Sequence, residues 1–191
     1  MRKRRGKGWL VLLAGMAGGM ALLWWWQGRL ERSQDEPIRA AANRYRIDPA
    51  LIKAIVWKES RFHPEARGRV GELGLMQLRE DAAFEWADAE RVEGFGHTHC
   101  LDPRTNTMAG TFYLVRLLKR YVRTDDPVPY ALADYNAGRA NVLKWIRGEA
   151  STNSRVFIEG IGFPSTREYV KGVMQRRQRY EGQLGPVPGA K

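Results

Sequence analysis

An uncharged stretch near the start of the chain most narrows what it can fold into. Residues Trp9 to Trp26 run for eighteen positions without Asp, Glu, Lys or Arg, after a basic cluster from Arg2 to Lys7. As an α-helix rising about 1.5 Å per residue, such a stretch nearly spans a hydrocarbon core of roughly 30 Å. Upstream basic residues stay on the cytoplasmic side, which places everything after Gln27 outside. Trp24, Trp25 and Trp26 then fall at the far interface, where indole rings favour the headgroup region. The expectation is a cytoplasmic basic segment over 1–8, a transmembrane signal anchor over 9–26 and a polar tether over 27–36. A cleaved signal peptide is the alternative, with release into the periplasm. Ala14 to Ala21 offers small residues for a cleavage site, but bulky Leu22 to Trp26 follow directly. Gly15 and Gly19 make a GxxxG spacing that can pair helices, although in a Gly-rich anchor it is more often incidental.

The same division explains the charge. The chain has 191 residues and a net charge of +11, with 32 Lys+Arg against 21 Asp+Glu. Six of the basic residues lie in positions 1–30, where there is no acid, which leaves +5 on the remainder. No long basic stripe interleaved with aromatics remains, so nucleic acid is not an expected partner. With 43% apolar residues the chain can bury one core, and a single Cys excludes an internal disulfide framework.

Beyond the tether the pattern is helical. Pro37 to Tyr45 reads as a short helix, and Asp48-Pro49 pairs an N-cap with a residue suited to the first helical position. That predicts a helix from about Pro49 to Ser60, with Leu51, Ile52, Ile55 and Val56 on one face. Asp102-Pro103 opens another stretch, striped by Tyr113, Leu114, Leu117, Leu118 and Tyr121. A third block starts near Pro127 or Pro129, breaks around Asn136 to Gly138, and resumes through Val142, Leu143 and Ile146. Ser165 followed three residues on by Glu168 reads as a capping box, ahead of the stripe Tyr169, Val170, Val173, Met174 and Tyr180. Arg69 to Leu78 holds at most a small hairpin, so the fold is mainly α.

Glu59 follows Ile55 by four residues and Val56 by three, so it leaves its helix on the apolar face. Desolvation there raises the pKa of a carboxyl, as a general acid working near neutral pH requires. Periodicity alone also admits, and by itself favours, a helix-terminal Glu that reaches water or caps a neighbour.

The surrounding motifs change the balance. Glu59-Ser60 is followed by Gly74-Leu75-Met76-Gln77, by Leu101-Asp102-Pro103-x-Thr105-Asn106, by Ala133-Asp134-Tyr135-Asn136-Ala137-Gly138, and by Thr166-Arg167-x-Tyr169-Val170. Over residues 38 to 180 this resembles the soluble lytic transglycosylase (SLT) catalytic domain of the lysozyme superfamily, related to goose-type lysozyme. The resemblance implies a lysozyme-like catalytic domain over 37–183 with a tail over 184–191, acting on peptidoglycan without cofactor or metal. It implies cleavage of the β-1,4 bond between N-acetylmuramic acid and N-acetylglucosamine, leaving 1,6-anhydromuramoyl ends. Glu59 maps onto the family's single acid/base. Tyr135 maps onto the tyrosine near it, where a phenol can donate a hydrogen bond to the carboxyl. Gln77, Asn136, Met76 and Ser60 are the remaining candidates for contact with the glycan. For Met76 packing is the alternative, for Asn136 a turn beside Gly138, and Ser60 has a supporting role only.

The chain departs from the family in three places. Gly68 stands nine residues after Glu59, where many members have a Ser. Ser165 stands where a Glu commonly precedes Thr-Arg. Asp134 is a carboxylate where a small residue is usual. Asp134 or Glu72 is thus a candidate second carboxylate in a rival reading, a goose-lysozyme-like muramidase that uses water. A catalytically weak peptidoglycan-binding scaffold is the other rival. His97-x-His99-Cys100 has zinc-ligand chemistry but no obvious fourth group nearby, and reads as a loop before Asp102.

Overall fold

Helices supply almost all of the regular structure. The computed structural model describes residues 8–185. Among them are α1 (Gly8–Ser33), α2 (Asp35–Tyr45), α3 (Pro49–Ser60), α4 (Glu80–Glu90), α5 (Pro103–Arg120), α6 (Pro127–Ala137), α7 (Arg139–Trp145), α8 (Ser154–Gly160) and α9 (Pro164–Tyr180). Three starts follow from the same device. Asp48, Asp102 and Asp126 each accept a backbone N–H from the first turn, and each is followed by Pro at the head of its helix.

Helix α3 runs through the centre. Its Leu51, Ile52, Ile55 and Val56 are at most 2% exposed and meet Leu114 and Leu117 of α5 and Val170 and Val173 of α9 in one core. Each such side chain contributes about 1.5–3 kcal/mol on burial. Lys53 is buried on α3, yet its ammonium group has partners. It lies 2.7 Å from Asp35 Oδ1 and 3.9 Å from Glu31 Oε1, and 5.1 Å above the Tyr180 ring. One side chain thus ties α1, α2 and α9 to α3. Arg177 adds a second clasp, its Nε 2.7 Å from Oδ2 of the α3 cap Asp48.

Several expectations need correction. Helix α1 covers the uncharged stretch and leaves Leu12, Met16, Leu22 and Trp24 exposed. Even so, among the described residues no helix is long and apolar enough to cross a membrane, so the expected transmembrane span is not supported. Arg29, Glu31 and Arg32 charge its last turns. The tether expected over 27–36 is itself helical, shared between α1 and α2. Ser165 caps nothing, because Pro164 already occupies the first turn of α9 and Phe163 takes the cap position without a side-chain bond. The basic cluster Arg2 to Lys7 and residues 186–191 of the tail lie outside the described residues. Helices α4 and α8 went unread: α4 is rich in polar residues, and α8 is only seven residues long.

Candidate active site

The hairpin expected over Arg69 to Leu78 is present in reduced form, as isolated pairings of Arg67 with Leu73 and of Leu73 with Leu78. The Gly68 N–H donates to the Glu72 carbonyl at 2.8 Å, and the Gly74 N–H to the Ala66 carbonyl at 2.8 Å. Gly74 has φ +75°, and a Cβ there would collide with the Cys100 carbonyl and the Asn106 amide. Only glycine fits that corner. Asn106 is fully buried and saturates the loop. Its Oδ1 accepts the Met76 N–H at 2.7 Å, and its Nδ2 donates to the carbonyls of Leu73 and Cys100, both at 2.8 Å.

This loop, the end of α3 and the end of α6 enclose a groove of about 610 Å³. Glu59, Glu72, Gln77, Tyr113, Tyr135 and Asn136 are among the residues that line it. Burial pushes the Glu59 carboxyl up to about 7, further raised by the negative charge of Glu72 and opposed by a hydrogen bond from Tyr169 and the charge of Lys58. The Tyr169 hydroxyl donates to Glu59 Oε1 at 2.5 Å. Burial and the neighbouring Glu59 hold that phenol well above its ordinary pKa, so it stays a donor.

The site therefore differs from the sequence-based expectation in its tyrosine. Tyr135 borders the groove, but its hydroxyl donates to the Met76 carbonyl at 2.7 Å rather than to Glu59. The hydroxyl on Glu59 belongs to Tyr169, which the sequence offered only as part of an apolar stripe and a motif. Met76 is fully buried, and a Cβ at Gly110 would meet its sulfur. Its side chain packs on α5, and only its backbone serves the site. Ser60 is 7% exposed, its Oγ donates to the Val56 carbonyl at 3.1 Å, and it does not line the groove. Asn136 does line it, with Oδ1 accepting from Thr166 Oγ1 at 2.8 Å, which leaves its NH2 group as a donor for a ligand. Gln77 has the reverse arrangement. Its Nε2 donates to the Ala66 and Gly74 carbonyls, at 3.2 and 2.9 Å, and its Oε1 remains as an acceptor.

Asp134, one of the two candidate second carboxylates, is 2% exposed. Its Oδ2 accepts from Tyr121 at 2.7 Å and from Arg120 at 3.1 Å, so it is bound into α5. His97, His99 and Cys100 lie in a short 3-10 turn, His97–Leu101. His97 Nε2 is 2.9 Å from the Leu78 carbonyl, His99 Nδ1 accepts the Gly96 N–H at 3.1 Å, and Cys100 is buried with its thiol pushed up to about 12. Among the described residues no group of three or more His, Cys, Asp or Glu side chains is placed to hold a metal ion.

Comparison with known proteins gives one consistent picture. Residues 36–158 match the family model described as the transglycosylase SLT domain. The soluble lytic murein transglycosylase of Escherichia coli K12 is 32% identical over 144 residues, which is 74% of this chain and 22% of that protein. Membrane-bound lytic murein transglycosylase F of Desulfosudis oleivorans is 36% identical over 108 residues, covering 55% of this chain and 22% of the relative. Among solved structures, an inactive Glu-to-Gln mutant of the lytic transglycosylase Slt from Pseudomonas aeruginosa superposes with a TM-score of 0.71 and 28% identity, over 82% of this chain and 25% of that one. The chain thus spans about a quarter of the length of these relatives.

Proposed function

Since this chain belongs to the transglycosylase SLT domain family, we propose that it is a peptidoglycan lytic transglycosylase with Glu59 as its single acid/base. The observation that carries this reading is the half-buried Glu59 carboxyl, lifted to about 7 and bordering an open groove. At neutral pH such a group holds a proton part of the time and gives it up readily. Protonated Glu59 donates to the glycosidic oxygen as the bond from C1 of N-acetylmuramic acid breaks and N-acetylglucosamine leaves. Glu59, now a carboxylate, takes the proton from the muramoyl C6 hydroxyl, whose oxygen bonds to C1 and closes the 1,6-anhydro ring. Glycosidases that use water or an enzyme nucleophile require a second carboxylate. Here the substrate's own hydroxyl replaces it, consistent with Asp134 being engaged by Arg120 and Tyr121. The solved relative that was made inactive by one Glu-to-Gln change supports a requirement for a Glu.

A domain that acts on the wall works, on this reading, in the periplasm. The exposed apolar side chains of α1, Leu12 to Trp26, support attachment of that helix to the lipid surface. Removal of residues 1–26 is then expected to move the protein from the membrane to the soluble fraction, and an unchanged distribution would refute the attachment.

Mass spectrometry of muropeptides released from purified peptidoglycan tests the reaction. Anhydro ends from the wild-type chain and none from Glu59→Gln are expected. Reducing ends would show a hydrolase instead, and peptidoglycan binding without soluble product would show a scaffold.

A further inference from the structure

Gly68 and Glu72 are coupled in a way the reaction above does not use. The five-residue turn they bound is closed by the Gly68 N–H to Glu72 carbonyl bond at 2.8 Å, and Gly71 within it has φ +94°. This turn folds the Glu72 side chain back over Gly68. A Cβ at position 68 would collide with Glu72 Oε2 and lie 2.9 Å from Gln77 Oε1. The carboxylate thus occupies space that any other residue at 68 would fill.

What that corner presents is one-sided. Glu72 Oε2 takes one hydrogen bond, from the Val70 N–H at 3.1 Å. A carboxylate has about four acceptor sites, so most remain open. Gln77 has committed its Nε2 to two carbonyls and leaves Oε1 beside the same spot. Gly68, Glu72 and Gln77 all line the groove that Glu59 lines, and Glu72 lies close enough for its charge to act on Glu59. Two acceptors side by side, one of them charged, suit a hydrogen-bond donor.

We propose that Glu72 is a substrate-binding carboxylate of the groove, held over Gly68 and accepting a hydrogen bond there from an O–H or N–H donor of peptidoglycan. The inference rests on the glycan-cleaving reading above. The donor belongs either to the sugars or to the stem peptide, and both offer the same chemistry.

Steady-state kinetics of the full chain on soluble, uncrosslinked glycan strands, with and without stem peptides, test it. Glu72→Ala is expected to raise KM about tenfold or more with kcat within about threefold, the loss of one hydrogen bond to a charged group. Glu72→Gln, which keeps an acceptor oxygen and the turn, should fall between Ala and the wild type. Gly68→Ser should behave like Glu72→Ala, because the new side chain expels the carboxylate. Gly68→Ser combined with Glu72→Ala should recover part of the lost affinity through the hydroxyl. An effect that persists on peptide-free strands assigns the donor to the sugars, and one confined to peptide-bearing strands assigns it to the peptide. Unchanged kcat/KM in both Glu72→Gln and Gly68→Ser would overturn the proposal, as would a collapse of kcat at constant KM. A wild-type chain that releases no muropeptide would instead refute the function on which it rests.

Discussion

Of the carboxyl groups that border the groove, Glu59 and Asp134 sit near the ends of two different helices, and their neighbours give them different work. Glu59, at the last turn of α3, receives one hydrogen bond from a neutral phenol, and burial outweighs everything that favours its charge. Asp134, near the end of α6, is the more buried of the two, yet it accepts from Tyr121 and forms an ion pair with Arg120 at 3.1 Å. Depth of burial therefore does not select the acid. What matters is whether the surroundings supply a counter-charge. Asp134 has Arg120 at 3.1 Å and serves as a strut between α5 and α6, whereas at Glu59 the charge of Lys58 is set against that of Glu72 and burial holds the carboxyl well above its ordinary range.

The largest effect that can break this contrast is at Glu59. Glu59→Gln keeps the shape and the Tyr169 contact but cannot cycle a proton, so release of anhydromuropeptides should fall to background. Residual turnover near wild type would remove Glu59 from the acid/base role. The same variant should be more stable than the wild type at alkaline pH. Below pH 4.5 the folded and unfolded chains both hold the Glu59 proton, and nothing is lost. Between 4.5 and about 7 the unfolded chain releases it first, so wild-type stability falls with rising pH and stays reduced above. The difference is about 3 kcal/mol, and chemical denaturation of both proteins at pH 4 and pH 8 measures it. Equal stability at pH 8 would mean that the carboxyl is not held against its charge.

Asp134→Asn should do the opposite, removing the counter-charge of Arg120 and destabilising the fold by about 2 kcal/mol while the anhydro product is unchanged. A shift from anhydro to reducing ends, or loss of turnover in a fully folded sample, would make Asp134 a participant in the chemistry. Tyr169→Phe removes the hydrogen bond that lowers the Glu59 pKa. The alkaline limb of the pH–rate profile, expected above about 7 in the wild type, should then move to higher pH even as kcat drops. A limb that stays in place would show that the phenol only packs. The smallest expected effect is that of Tyr121→Phe. It leaves Arg120 on Asp134 and should cost about 1 kcal/mol with no change in the pH profile.

The sequence made the scaffold more legible than the site. Asp48-Pro49 located α3 to the residue, because cap and proline act within one turn and need no partner from elsewhere. Spacing put Glu59 on the apolar face of its helix but by itself favoured a helix-terminal Glu that reaches water, and only the motifs around it changed that balance. The transmembrane span found no support among the described residues. Tyr169 escaped as a partner of Glu59 because its position fits an apolar stripe, and where its hydroxyl points depends on a residue 110 positions away. Met76 and Ser60 stand inside the motifs, yet the Met76 side chain is fully buried against Gly110 of α5 and the Ser60 hydroxyl bonds the Val56 carbonyl. Asn106 lay in plain view beside the Asp102-Pro103 cap, but its service to Leu73, Met76 and Cys100 depends on folding of a loop some thirty residues upstream.

The contact between Tyr169 and Glu59 also has a consequence for the order in which the molecule comes into being. The acid belongs to the third helix and its phenol to the last described one, so the pair cannot form until nearly the whole domain has been synthesised and α9 has docked. Contacts so distant along the chain carry a high loop-closure entropy and tend to close late in folding. A domain built this way brings the Glu59 carboxyl and its phenol together at the end of maturation, after the core that restrains them is already in place.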